Sequence, residues 1–296
     1  MILFDKKKLL LNSNGGDSKF VAVGGNTGLI TSKDGFAWEK NNSFDGISLS
    51  DASIGYANKR YVVFNKGNSK SSSDLKKWDS FELSSGFSGL AYGNDVFVAL
   101  GGGRVYYSYD SIIWTEVTLP RTYASITFGN GVFVAVASGY IAYSYNGYDW
   151  SEIVAPHTGI TRICFGSGLF VGCGQAGNTY NSLVSSDGVN WFAGNPVKTG
   201  VILHNGSSFM VLGGYNEGLW VCESTDGVSW ITNNFLLPES FSFTVRPDAA
   251  CYGNGLYIYS GKIGSYAGFV VSNNLTDWQM VKLEDLNSVN GVIYAE

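Results

Sequence analysis

The sequence predicts an all-β chain of 296 residues that closes into a ring of repeated four-stranded antiparallel units, and two recurring motifs predict it. The first motif is Ser-x-Asp/Asn with Trp four residues after the Asp/Asn. It recurs seven times and accounts for seven of the eight tryptophans. These tryptophans are Trp38, Trp78, Trp114, Trp150, Trp191, Trp230 and Trp278. Their spacing of 36 to 48 residues is typical of one propeller blade, so the motif predicts a single seven-bladed β-propeller domain over residues 1–296.

The second motif is a turn between two apolar runs, and it precedes the tryptophan motif. Its clearest copy runs from Phe128 to Val136, with Asn130-Gly131 at the turn. Asn-Gly between apolar runs is typical of a two-residue β-hairpin, because both central turn positions need a positive φ. Each copy therefore predicts an inner hairpin of strands A and B. The Ser-x-Asp/Asn segment then forms the turn between strands C and D, where short polar side chains bond the backbone.

Ring closure is predicted to involve both termini. Residues Val289 to Tyr294 fall where a further strand A would follow the last tryptophan motif, and Leu9 to Leu11 precede the first strand B. Both ends of the chain therefore point to the first blade, and a shared blade would leave no open edge between the first and last repeats.

Composition excludes several classes of function. The formal net charge is −5 and only five arginines are present, so no basic stripe is available for nucleic acid. We expect no membrane insertion, because no apolar stretch reaches the length of a span, and no signal peptide is recognisable. The four cysteines lack CxxC spacing and there are two histidines, so the sequence predicts free core thiols, no metal site and no cofactor.

The blades differ in the length of one connection. From the strand B aromatic to the motif serine there are 11 or 12 residues in blades 1 to 4 and 15 in blades 5 to 7. Longer loops on one face of a repeat protein often form its binding surface. The candidate ligand- or partner-binding residues in these predicted loops are Gln175, Asn178, Tyr180, Tyr215, Asn216, Trp220, Lys262 and Tyr266. The alternative is that the loops only cover one rim and that Trp220 is a core residue.

The Ser-x-Asp/Asn motif resembles the Asp-box, or BNR, repeat of sialidase-like propellers, in a shortened form with Gly directly after several of the acidic residues. The resemblance implies that the box is a fold device and that its tryptophans and aspartates are structural. Sialidases of that family bind a carboxylate with three arginines, whereas here no arginine precedes Arg60 and the Arg-Pro pair is Arg246-Pro247. Four arginines that could still approach one face leave a glycosidase as an alternative: Arg104, Arg121, Arg162 and Arg246.

The function predicted from the sequence is non-catalytic binding. Charged residues make up 15% of the chain, against about 25% in ordinary globular proteins, and Tyr, Trp, Gly and Asn fill the surface instead. The repeats resemble those of bacteriophage tail-fibre, spike and receptor-binding proteins. We therefore expect a virion protein that contacts a host-surface glycan or another virion subunit. An intracellular scaffold, resembling the Asp-box photosystem assembly factors, is a further alternative.

Overall fold

Seven antiparallel sheets arranged as a ring make up the chain in the computed structural model, which describes residues 19–25, 28–83, 87–215, 218–237, 241–243, 249–283 and 286–296. The predicted seven-bladed, all-β propeller is confirmed. Helical structure in the described residues is limited to 3₁₀ turns such as Asn42–Phe44, and no helix there is long and apolar enough to span a membrane.

Every blade has four strand positions, A to D, from the channel outward. The strands of the first four blades are β1 (Lys19–Gly24), β2 (Gly28–Ser32) and β3 (Glu39–Asn41); β4 (Ser53–Ala57), β5 (Arg60–Phe64), β6 (Ser69–Ser72) and β7 (Asp79–Phe81); β8 (Phe87–Gly93), β9 (Val96–Gly101), β10 (Arg104–Ser108) and β11 (Thr115–Thr118); and β12 (Ser125–Gly129), β13 (Val132–Ala137), β14 (Tyr140–Ser144) and β15 (Ser151–Val154).

The remaining strands are β16 (Ile160–Gly166), β17 (Leu169–Ala176), β18 (Thr179–Ser185) and β19 (Phe192–Gly194); β20 (Val201–His204), β21 (Phe209–Tyr215), β22 (Gly218–Ser224) and β23 (Ile231–Leu236); β24 (Phe241–Phe243), β25 (Ala250–Gly253), β26 (Leu256–Ile263), β27 (Tyr266–Ser272) and β28 (Gln279–Leu283); and β29 (Gly291–Ala295). In blade 7 both β24 and β25 pair with β26, so two short strands share position A.

The C-terminal strand closes the ring. β29 lies at position A of blade 1 and pairs antiparallel with β1, from Lys19 opposite Ala295 to Val23 opposite Gly291. Blade 1 is therefore shared by the two ends of the chain, as predicted. Leu9 to Leu11 lie outside the described residues.

The A-to-B turns have the predicted geometry and also join neighbouring blades. Asn130 and Gly131 have φ values of +46° and +78°, as a two-residue hairpin turn requires. The Asn130 amide then donates to Gly168 O at 3.0 Å and to Ser186 O at 2.8 Å, both in the next blade. We call the seven Ser-x-Asp/Asn segments, which form the C-to-D turns, the box turns. The A-to-B turns and the box turns lie on one face, which we call the box face. The B-to-C turns lie on the opposite face, which we call the hairpin face.

A ring of seven side chains lines the box-face end of the inner strands. Each packs on the strand B aromatic of its own blade, with ring centroids 4.6 to 4.9 Å apart. The seven are Tyr56, Tyr92, Phe128, Phe165, His204, Tyr252 and Tyr294. Several of these rings also occupy the space beside a glycine of the preceding blade. A Cβ on Gly129 would lie 2.2 Å from the Phe165 ring, so this position excludes any larger residue.

The box tryptophans cover the interfaces between blades. Trp38 stacks on Phe269 of blade 7 with centroids 4.5 Å apart, and Trp114 packs on Phe64 and Phe81 of blade 2. Trp191 belongs to the apolar cluster between blades 4 and 5. The remaining four make the equivalent contact with the preceding blade: Trp78, Trp150, Trp230 and Trp278. Each Trp therefore joins its own blade to the one before it.

Candidate functional site

The extra residues of blades 5 to 7 lie in strands and tight turns. The prediction of long B-to-C loops in these blades was therefore wrong. The B-to-C hairpin has five cross-strand pairs in blade 4 and seven in each of blades 5, 6 and 7. Four additional residues form two more pairs, and the register continues without a bulge. At about 3.3 Å per residue, each hairpin extends roughly 7 Å further. We call residues 175–180, 214–219 and 262–267 the extended hairpins.

The blade 5 extended hairpin presents one open ring. Gly177, with φ +57°, and Asn178 form its turn, and the Gln175 amide donates to Gly177 O at 2.8 Å. Gln175 is therefore partly engaged in holding the turn, whereas Asn178 and Tyr180 are exposed. The Tyr180 side chain is 37% exposed and is the aromatic residue of this tip.

The blade 7 extended hairpin presents a Tyr and a Lys. Tyr266 is 38% exposed, and Lys282 Nζ lies 4.0 Å from its ring centroid. Lys262 is exposed on the neighbouring strand, where β24 pairs with its backbone through Ser242. Three strands therefore hold this tip rigid, and a cation lies beside its aromatic ring.

The blade 6 extended hairpin places Trp220 below its tip. The Trp220 ring lies over Gly213, its Nε1 donates to Thr199 O at 3.3 Å, and Lys198 Nζ lies 5.1 Å from the ring. Trp220 packs on the apolar cluster between blades 5 and 6, which is the geometry of the core alternative. Tyr215 ends β21 and its side chain is not described; Asn216 lies outside the described residues.

A central cavity of about 320 Å³ lies between the inner strands. Its described lining consists of neutral residues, among them Ser53, Ser88 and Ser125 on three successive blades and the apolar side chains of Ile54 and Ile126. The tyrosines Tyr56, Tyr252 and Tyr294 also line it. Such a lining offers hydroxyl groups and apolar surface to a small neutral molecule.

The box turns hold their polar side chains in one repeated arrangement. In blade 5, Ser185 Oγ donates to Asp187 Oδ1 and accepts from Gly188 N, while Asp187 Oδ1 accepts from the backbone N–H of Val189 and Asn190. Hydrogen bonds from Asn190, first from its side chain and then from its backbone, lower the pKa of Asp187 to about 2. All seven boxes repeat these serine and Asp/Asn bonds, so the five Asp carboxylates and the two Asn amides serve the turn.

Replacing Asp187 with Asn should flatten the acid dependence of stability. Asn146 and Asn274 already make the same backbone bonds in blades 4 and 7. Because the folded-state pKa of Asp187 lies below its ordinary value of 3.8, its contribution is full above about pH 4 and is lost as the pH falls towards 2. At pH 7 we expect Asp187→Asn to be slightly less stable than the wild type in urea unfolding, because it keeps the backbone bonds but loses the bond from the Asn190 side chain to Asp187 Oδ2. Between pH 4 and 2.5 we expect it to lose less stability than the wild type.

Asp187→Ala is the matched control for the acid experiment. It leaves the Val189 and Asn190 N–H groups without their acceptor, so it should lower the free energy of unfolding by about 1 kcal/mol at pH 7. Equal acid slopes for the wild type and Asp187→Asn would contradict the assigned role of this carboxylate.

His204 and Ser167 form a hydrogen-bonded pair on the box face, but its tautomer does not suit nucleophilic catalysis. Gly206 N donates to His204 Nδ1 at 3.0 Å, so the neutral ring carries its proton on Nε2, which lies 3.0 Å from Ser167 Oγ. Burial lowers the pKa of His204 and favours this neutral form. The imidazole therefore donates to Ser167 and does not activate its hydroxyl as a general base.

Three of the four arginines of the glycosidase alternative are described, and each is engaged within the chain. Arg104 binds Glu116 at 2.6 Å, and Arg121 binds Glu152 at 3.0 Å while stacking on the Tyr140 ring. Arg162 Nη1 donates to the adjacent Thr161 O, and Arg246 lies outside the described residues. Arg104 and Arg121 therefore each pair with a different carboxylate.

The cysteines are free thiols with raised pKa values, and the described residues contain no cluster of metal ligands. All four cysteines are free, and burial raises the pKa of Cys164 and of Cys173 to about 12. Such thiols are protonated and unreactive at neutral pH. No group of three or more His, Cys, Asp or Glu side chains in the described residues is placed to hold a metal ion.

Sequence reasoning missed two exposed aromatics on the box face. Tyr109 and Tyr145 are each more than half exposed and lie between the Ser and the Asp/Asn of their boxes. The other five boxes carry Lys, Ser, Thr or Asn at this position. That polar preference was the available signal that the position points outward.

Comparison with known proteins shows the fold. No protein-family model matches the chain, and no curated protein matches it. A quinonprotein alcohol dehydrogenase-like protein from Bacteroides thetaiotaomicron aligns with a TM-score of 0.65 at 10% identity, covering 94% of this chain and 79% of that one.

Two further solved structures align over most of their length. YCF48 from Cyanidioschyzon merolae gives a TM-score of 0.55 at 12% identity over 81% of this chain and 87% of that one. A putative 6-phosphogluconolactonase from Bacteroides fragilis gives 0.58 at 10% identity over 94% and 98%. These structural neighbours include both enzymes and non-enzymes, so the likeness shows the fold alone.

Proposed function

We propose that this propeller is a non-catalytic binding protein of a bacteriophage particle, a tail fibre, spike or decoration protein, whose extended hairpins contact a host-surface glycan. The observation that carries the proposal is the extension itself. In each of the three neighbouring blades 5, 6 and 7, the B-to-C hairpin has two more cross-strand pairs than in blade 4. The fold does not require these pairs, because blades 1 to 4 form their part of the ring with shorter hairpins. The added pairs therefore lie at the same end of three successive blades.

The chemistry of the tips suits a carbohydrate. Tyr180 and Tyr266 present rings to solvent, and aromatic rings pack on the apolar faces of sugars. Asn178 adds amide donors and acceptors, and Lys262 adds ammonium donors, which match sugar hydroxyl groups. Because the backbone of each tip is hydrogen bonded as a hairpin, these groups lose little freedom on binding.

The engaged state of several acidic groups supports binding without catalysis. Most glycoside hydrolases use two carboxyl groups about 5 to 10 Å apart that flank the scissile bond, and sialidases use a Tyr nucleophile instead of one of them. Among the described carboxylates, Asp187 and its box equivalents hold turns, while Glu116 and Glu152 hold arginines. Tyr123 also donates to Glu152. The described lining of the central cavity includes no carboxylate and no histidine.

The virion setting rests on the sequence. Low charge, abundant Tyr, Trp, Gly and Asn, and a shortened Asp-box repeat resemble the propellers of phage receptor-binding proteins. An assembly scaffold with an arginine patch fits less well, since Arg104 and Arg121 are already paired with glutamates.

A glycan array on the purified chain, run beside a pull-down of candidate virion proteins, tests the proposal. We expect a defined set of glycans to bind and the double variant Tyr180→Ala/Tyr266→Ala to bind them at least tenfold more weakly, a loss of about 1.4 kcal/mol. Tyr145→Ala, an exposed aromatic of the box face, is the control and should keep full binding. If the chain binds a virion protein in the pull-down and no glycan on the array, the partner of the extended hairpins is another virion subunit and not a glycan.

A further inference from the structure

The outermost strand of blade 6 differs from the other outer strands. β23 has six residues, whereas the other six outer strands have three to five. It carries no charged residue over Ile231 to Leu236, and five of its six side chains are exposed. Its sequence, Ile-Thr-Asn-Asn-Phe-Leu, contains no Pro and has residues that favour strands.

The other outer strands carry the features that discourage pairing between chains. Each has three to five residues, and all but β19, which has only three, include a charged side chain. Short length and charge are the usual protections of a sheet edge. In β23, by contrast, Ile231 is 70% exposed and Leu236 is 87% exposed.

We propose that β23 pairs antiparallel with β23 of a second copy of this chain, which joins two blade 6 sheets into one eight-stranded sheet. An open strand edge presents backbone N–H and C=O groups in a row, and these fit an extended strand. Each copy has a net charge of −5, so two copies approach best where neither presents acidic side chains. β23 is the long outer strand without a charged residue of its own, and the cation beside it is Lys198, whose Nζ donates to Asn234 Oδ1 at 2.9 Å.

The symmetry of such a pair makes the interface self-complementary. A twofold axis perpendicular to the sheet keeps each side chain on its own face, so residues of the same face lie opposite one another. With the axis at Asn233, Ile231 of one copy lies opposite Phe235 of the other at both ends. The exposed apolar side chain of Ile231 then gains an apolar cross-strand neighbour.

Sedimentation velocity on the full chain from 1 to 100 μM tests the proposal. We expect the wild-type mass to double as the concentration rises. Asn233→Lys places two ammonium groups opposite each other and should stay monomeric with an unchanged melting temperature, because Asn233 is exposed. Thr115→Lys adds the same charge to outer strand β11 of blade 3 and is the matched control, which should still dimerise.

Charge exchange separates pairing from any general effect of the substitutions. Asn233→Asp should also be monomeric, and mixing it with Asn233→Lys should restore a dimer because Lys then faces Asp. A wild type that stays monomeric up to 100 μM overturns the proposal. A strand of another protein would then be the remaining candidate partner of β23. An Asn233→Lys variant that dimerises as the wild type does, or a mixture that fails to associate, overturns it as well.

Discussion

Replacing Trp191 with Ala should lower the free energy of unfolding by about 3 to 5 kcal/mol. Trp191 is buried between blades 4 and 5, its ring centroid lies 6.3 Å from that of Phe170, and its Nε1 donates to Gly188 O at 3.0 Å. The substitution therefore leaves a cavity in the apolar interface between blades 4 and 5. Thermal and urea unfolding measure the loss, and glycan binding at a temperature where the variant is folded should be unchanged.

Two phenylalanine variants separate the packing from the indole hydrogen bond. Trp191→Phe keeps most of the ring and loses the bond to Gly188 O, which should cost about 1 kcal/mol beyond the lost area. Trp230 Nε1 is buried and finds no acceptor among the described residues, so Trp230→Phe should cost less. If Trp191→Ala kept its stability but lost a ligand, the box tryptophans would be binding residues and not structural ones.

Shortening the blade 5 extended hairpin should abolish most glycan binding while the ring stays folded. Replacing residues 175–180 with Ser-Gly joins Gly174 to Asn181 through the two-residue turn that blade 4 already uses at Ser138-Gly139. The removed side chains are largely exposed, so we expect the melting temperature to fall by no more than a few degrees. Calorimetric titration with the strongest array ligand should show affinity reduced at least tenfold.

A shorter exchange controls for the turn alone. Replacing only Gly177 and Asn178 with Ser-Gly keeps the hairpin length and Tyr180, so its binding should lie between the wild type and the shortened variant. Full binding by the shortened variant would move the partner surface to the box face, where Tyr109 and Tyr145 are the first candidates.

Much of the fold could be predicted because its signals are local and repeated. A two-residue turn such as Asn130-Gly131 needs positive φ at both positions, and the box serine and Asp bond backbone groups within three residues. Neither signal depends on distant contacts, so each blade can be recognised from its own segment of the sequence. Ring closure was predictable because β29 repeats the strand A pattern after the last box.

The candidate site was harder to predict because residue counts do not distinguish a loop from a longer hairpin. Four added residues keep the register when they are divided equally between two strands, and Gly177-Asn178 then makes a two-residue turn. The role of Trp220 depended on Gly213 across the strand pair, which leaves room for the indole ring. Such cross-strand neighbours can be identified only once the register of the strands is known.

Product analysis after long incubation is the most direct measurement of binding without catalysis. The purified chain is incubated with its strongest array ligand, a fluorogenic sialoside and a panel of other glycosides, while calorimetry confirms that ligand is bound. A non-catalytic propeller should release no more product than buffer alone. Clear turnover that disappears in the Arg162→Lys variant would contradict the proposal and identify a glycosidase.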